Sequence, residues 1–67
     1  MIEVQKANNM YRAYCSPLAE FAYGNSREIA INNLRIKLEE YKDTLLKRKD
    51  KLSDVLKADL DYLEKNL

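Results

Sequence analysis

The feature that most limits the fold of this chain is the absence of glycine and proline from residue 27 to residue 67. This segment of 41 residues is rich in Leu, Lys, Glu and Asp and contains no strong helix breaker, so it is predicted to be helical. Residues 1–26 hold the single glycine, the single proline and four of the six aromatic residues. They are predicted to form strands and turns, which makes the chain α+β.

Three short strands are predicted in the first part, over residues 1–6, 10–15 and 20–23. The first alternates apolar and polar residues, which is typical of a half-buried strand. Asn8 and Asn9 suit the tight turn of a hairpin, and Pro17 ends the second strand because proline has no N–H for the sheet. After a turn at Gly24, Ser26 is predicted to cap the following helix.

The helical segment carries a stripe of apolar residues at spacings of mostly three or four: Ala30, Leu34, Leu38, Tyr41, Leu45, Leu52, Leu56, Leu60, Leu63 and Leu67. Several of them recur every eleven residues, a period that keeps a straight helix facing one way. The pattern favours one continuous helix of roughly 60 Å. The alternative is two helices, with a break near Asp50 or Ser53, either of which can cap a second helix.

Charge is distributed unevenly along this segment. Residues 42–51 carry five cations against two carboxylates, whereas residues 54–64 carry four carboxylates against one cation. Two antiparallel copies centred near Leu52 would lay basic segments on acidic ones, which favours an antiparallel homodimer. The alternative is that these blocks of charge are simply a solvated helix face.

Composition also limits the chemistry that is available. A net charge of +1 argues against a protein that binds nucleic acid through a bulk positive field. The chain has no histidine to act as a base or metal ligand, and no clustered carboxylates in the strand region, so no enzyme activity, metal or cofactor is predicted. A lone cysteine and short apolar runs predict a cytoplasmic protein without a signal peptide or membrane span.

A series of short motifs between residues 11 and 41 resembles the HicB-like antitoxin domain. The motifs are Ala13-Tyr14-Cys15, Pro17-Leu18, Phe21-Ala22-Tyr23-Gly24, Asn25-Ser26, Glu28, Ala30, Asn33-Leu34, Leu38 and Tyr41. The resemblance implies a partial RNase-H-like domain over residues 1–45, followed by a helical extension over residues 46–67. It also implies a protein that blocks a HicA-type ribonuclease. Ser16 and Ala19-Glu20 depart from the family pattern, and no segment matches its DNA-binding extension.

The expected architecture is therefore a three-stranded antiparallel sheet packed on a long C-terminal helix that self-associates. Self-association is assigned to six leucines: Leu45, Leu52, Leu56, Leu60, Leu63 and Leu67. Partner binding is assigned to Tyr11, Arg12, Tyr14 and Tyr23, since Tyr and Arg are enriched at protein contact sites. Cross-strand aromatic pairing that only stabilises the sheet is the alternative for these residues, and an exposed strand edge is another route to a partner.

The leading functional hypothesis is a non-enzymatic inhibitor of another protein. The alternatives are a phage or mobile-element scaffold oligomer, an inhibitor of another host protein, or a small regulator that binds nucleic acid. The last would use the basic cluster Lys47, Arg48, Lys49 and Lys51, whose simpler interpretation is an exposed helix face.

Overall fold

The computed structural model describes residues 2–67 and confirms an α+β architecture. The helices and strands, in chain order, are β1 (Ile2–Ala7), β2 (Met10–Cys15), β3 (Glu20–Gly24), α1 (Arg27–Lys47) and α2 (Asp54–Asn66). Short 3-10 helices at Ser16–Leu18 and Lys49–Lys51 join β2 to β3 and α1 to α2. The predicted strands are confirmed, except that Met1 lies outside the described residues.

The three strands form one antiparallel sheet in the order β1-β2-β3. Ala7 pairs with Met10, so Asn8 and Asn9 alone make the turn of the first hairpin. Asn8 takes the left-handed conformation, with φ of 58°, which asparagine tolerates better than most residues. The predicted turn chemistry therefore sets the register of β1 against β2.

The entry into α1 depends on close packing between the last strand and the helix. The hydroxyl of Ser26 accepts a hydrogen bond from the Ile29 N–H at 3.1 Å, which confirms the predicted N-cap. A Cβ atom at Gly24 would overlap the Ala30 nitrogen and lie 2.8 Å from the Ile29 carbonyl carbon. Glycine is required here because backbone, rather than a flexible side chain, occupies that space.

Helix α1 packs against both the sheet and α2. Its buried stripe of Ala30, Leu34, Leu38 and Leu45 belongs to the same core as Ala13 and Cys15 of β2 and the leucines that follow α1. The sheet packs along the first part of α1, and α2 packs against α1 as well. The result is an elongated molecule of 42 × 17 × 17 Å.

The prediction of one continuous helix is wrong. Helix α1 ends at Lys47, and Ser53 caps α2 by accepting a hydrogen bond from the Leu56 N–H at 3.3 Å. Leu52 is extended, with φ of −80° and ψ of 140°, so the chain reverses between the two helices. Because the chain reverses, the leucines after residue 47 pack into a core within the same chain. In a single straight helix, they would be exposed to water.

The leucines assigned to self-association lie in different environments. Leu45, Leu52, Leu60 and Leu63 are buried within one chain, Leu56 is half-buried, and only Leu67 is exposed, at 43%. Four of the six therefore cannot line a seam between copies in this conformation. The assignment is corrected for these four, which belong to the core of the chain, and it stays a prediction for Leu56 and Leu67.

The charge blocks led to the prediction of an antiparallel pair formed by two copies, which stays a prediction. In the structure, α1 and α2 of a single chain pack together. The Tyr41 hydroxyl on α1 donates a hydrogen bond of 2.7 Å to the Asp59 carboxylate on α2. Burial, this hydrogen bond and the negative charges of Asp59 and Glu20 raise the pKa of Tyr41 to about 12. The ion pair between Lys65 and Asp61 lies within α2 and does not join the helices.

Candidate partner-binding surface

The sheet presents different chemistry on its two faces, because successive side chains of a strand point in opposite directions. The face towards α1 carries Ala13 and Cys15, both buried, and Tyr11, which is half-buried and packs against the core. Arg27 lies 6.0 Å from the centre of the Tyr11 ring. The assignment of Tyr11 to partner binding is therefore corrected, since its alternation with Ala13 places it on the core side.

The opposite face, called here the open face, carries Glu3, Gln5, Met10, Arg12, Tyr14, Phe21 and Tyr23. The pairing of the strands arranges them in rows: Tyr14 lies between Glu3 and Phe21, and Arg12 lies between Gln5 and Tyr23. Phe21 is 40% exposed and Tyr23 is 46% exposed. Helix α1 packs on the other side of the sheet, so large apolar side chains here face solvent among residues 2–67.

Arg12 is the centre of the open face. Its guanidinium carbon lies 5.0 Å from the centre of the Tyr14 ring and 4.9 Å from the centre of the Phe21 ring. These are cation–π distances, and they hold the long arginine side chain in place. The Phe21 and Tyr23 rings meet edge to face at 5.6 Å. The face is therefore an ordered cluster rather than a set of separate exposed residues.

Two side chains of α1 hold the outer edge of β3. Asn33 donates to the Tyr23 carbonyl at 2.9 Å, and Lys37 donates to the Phe21 carbonyl at 3.1 Å. The Lys37 ammonium also lies 5.3 Å from the centre of the Phe21 ring. The helix thus satisfies the backbone of this edge strand and brings a second cation to the rim of the open face.

Three of the four residues assigned to partner binding, Arg12, Tyr14 and Tyr23, lie together on the open face. Sequence analysis did not include Met10 and Phe21 of this face, or Lys37 at its rim. Met10 and Phe21 share the alternation of Arg12 and Tyr23, so the same periodicity could have included them. The position of Lys37 depends on the docking of α1 against β3. No pattern local to Lys37 indicates it.

The basic cluster lies elsewhere in the fold. Lys47, Arg48, Lys49 and Lys51 surround the reversal between the helices, at the end of α1 that extends past the sheet. With Leu46 and Asp50 they line an open cleft of about 520 Å³. Cations at the C-terminal end of a helix are favoured by the helix dipole, so this placement has a structural explanation.

Cys15 is buried at the junction of the sheet and both helices. Its sulfur lies 3.9 Å from the Tyr62 hydroxyl, beside an apolar cavity of about 210 Å³ that Leu38 and Leu63 also line. Burial, assisted by the contact with Cys15, raises the pKa of Tyr62. Across residues 2–67, no group of three or more His, Cys, Asp or Glu side chains is placed to hold a metal ion.

None of the helices within residues 2–67 is both long enough and apolar enough to cross a membrane. Comparison of the chain with protein-family models, curated proteins and solved structures finds no match. The open face is thus the feature on which a functional inference rests.

Proposed function

We propose that this protein is a non-enzymatic binding module that engages a partner protein through the open face of its sheet. The observation that carries the proposal is the ordered cluster of Arg12, Tyr14, Phe21 and Tyr23, with two aromatic rings at least 40% exposed. A protein of this size gains stability by burying aromatic rings, so leaving them in contact with water has a cost. Binding of a partner recovers that burial.

The composition of the cluster supports a protein partner. Tyr, Phe, Met and Arg are enriched at protein interfaces, and Tyr and Arg recur among the residues that dominate binding energy. The cation–π contacts of Arg12 restrict its side chain before binding, which lowers the entropy lost on association.

Inhibition of a HicA-type ribonuclease is the specific form of this proposal. It is supported by the motifs between residues 11 and 41 and by the order of three antiparallel strands followed by a helix. An inhibitor of this kind would act by covering a surface of its target. A scaffold oligomer based on the leucine stripe is less favoured, because Leu45, Leu52, Leu60 and Leu63 are buried within the chain.

Site-specific photo-crosslinking in the source cell tests the proposal. The photo-reactive residue p-benzoylphenylalanine replaces Tyr23 on the open face or, as the matched control, Val55 on α2, which is 71% exposed. We expect a discrete adduct from position 23 and none from position 55. The protein identified in that adduct should then bind the purified wild type and lose at least about tenfold in affinity with Phe21→Ser or Tyr23→Ser.

Circular dichroism and thermal melting establish that the serine variants are folded, and inhibition of the captured protein is measured in parallel. Adducts from position 55 alone, or unchanged binding by both folded serine variants, would contradict the assignment of the open face. Binding without any effect on the activity of the captured protein would leave a binding module but remove the inhibitor function.

A further inference from the structure

Arg12 has hydrogen-bonding capacity that the fold does not use. Its Nε atom is buried and has no hydrogen-bond partner, and none of the ion pairs formed within residues 2–67 involves Arg12. A buried donor without an acceptor costs free energy, more so when the group is charged. The rings of Tyr14 and Phe21 position the guanidinium but accept no conventional hydrogen bond from it.

The charged residues around Arg12 include no carboxylate that forms an ion pair with it among residues 2–67. Lys37 approaches the Phe21 ring at the rim, while Glu3 lies in the next row, paired with Tyr14. The neighbours of Arg12 in its own row are Gln5 and Tyr23, which are uncharged. Glu20 points to the other side of the sheet, where its charge acts on Tyr41. The acceptor that fits this position is therefore an anion.

We infer that the partner places a carboxylate on Arg12, with an apolar side chain next to it against Phe21 and Tyr23. This inference rests on the proposed function and specifies the chemistry of the partner: an acidic side chain within an apolar segment. Arg12 as a residue is only half-buried, and the guanidinium can donate two hydrogen bonds to a carboxylate through its terminal nitrogens.

A single-stranded nucleic acid is the other anionic partner that an aromatic sheet surface can suit. The charge of the chain disfavours it, because a net +1 supplies little of the field that phosphate backbones require. The ring geometry also disfavours it: Phe21 and Tyr23 are inclined at 86° to each other and do not offer parallel platforms for successive bases.

A random heptapeptide library, displayed on phage and selected on the immobilised protein, tests the inference. We expect wild type to enrich peptides with Asp or Glu next to an apolar residue. Arg12→Gln should lose the acidic preference while retaining the apolar one, and Arg12→Lys should retain a weaker acidic preference. Phe21→Ser should lose the apolar preference.

A second measurement uses the wild type alone, so that it does not depend on the folding of a variant. The selected peptide is synthesised with its acid and with the matching amide, Asp against Asn or Glu against Gln. The acidic peptide should bind about tenfold tighter or more, and its affinity should fall with salt. It should also shift the Arg12 Nε–Hε resonance in ¹⁵N-correlated NMR spectra, whereas the amide peptide should not.

The outcomes separate this inference from the function on which it rests. If the selected peptides bind the open face without an acidic preference, the inferred carboxylate is refuted, but the proposal that the open face binds a partner stands. Peptides whose affinity is unchanged by Phe21→Ser and Arg12→Gln overturn both. A shift of the Arg12 resonance by single-stranded dT12 but by no selected peptide would replace the protein partner with nucleic acid.

Discussion

Replacing Leu63 by alanine is the sharpest test of the reversal between the helices. Leu63 is fully buried, and it borders the cavity of about 210 Å³ beneath the sheet. Truncation of a buried leucine to alanine costs about 3 kcal/mol, since it removes buried surface and leaves a void. A chain of 67 residues is expected to have a free energy of unfolding of about 3–10 kcal/mol, so the change removes a large fraction of it.

The midpoint of thermal unfolding of Leu63→Ala should fall by about 12–24 °C. The matched control is Val55→Ala on the same helix, where 71% exposure limits the expected change to about 0.5 kcal/mol. Unfolding is followed by circular dichroism at two protein concentrations tenfold apart. Equal stability of the two variants would refute the burial of α2 within the chain. A midpoint for wild type that rises with concentration would show that copies share the leucines.

Three further predictions concern single contacts. Gly24→Ala should lower the free energy of unfolding by about 1–3 kcal/mol, because its new methyl group meets the backbone of α1; a denaturation curve identical to that of wild type would contradict this. Ser53→Ala should cost about 1 kcal/mol by removing the cap of α2, and retention of full helicity and stability would show that the cap is dispensable. The pKa of Tyr41, raised from 10.0 to about 12, should make the contribution of Tyr41 to stability constant below pH 10 and smaller as the pH rises from 10 to 12, because the unfolded chain ionises first. Tyr41→Phe should lack this decrease. If the difference in the free energy of unfolding between wild type and Tyr41→Phe does not change between pH 10 and pH 12, the prediction is refuted.

Most of the sheet and the start of α1 could be predicted from sequence because their signals are local. Alternation placed the strands, Asn8 and Pro17 marked the turns, and Ser26 marked the helix cap. Each signal acts within a few residues of the position that it determines. The alternation within β2 also places Arg12 and Tyr14 on the side of the sheet away from Ala13 and Cys15.

The reversal between the helices could not be chosen on the same basis. The apolar spacing continues in phase from Ala30 to Leu67, and it suits a straight helix and a folded pair equally well. The choice depends on whether the leucines after residue 47 find cover within the chain, which is a property of tertiary packing. Ser53 was recognised as a possible cap, but a cap alone does not stop a helix. Lys37 was missed for a similar reason, since its contact with β3 spans 16 residues.

The contacts of Asn33 and Lys37 with β3 make the two borders of the sheet unequal. At one border the helix occupies the carbonyls of alternate residues, whereas among residues 2–67 no side-chain hydrogen bond reaches the main chain of β1. An incoming strand is therefore expected to pair more readily beside β1 than beside β3. A tag or fused domain placed before β1 would start beside this border, whereas one placed after Leu67 would start from the end of α2.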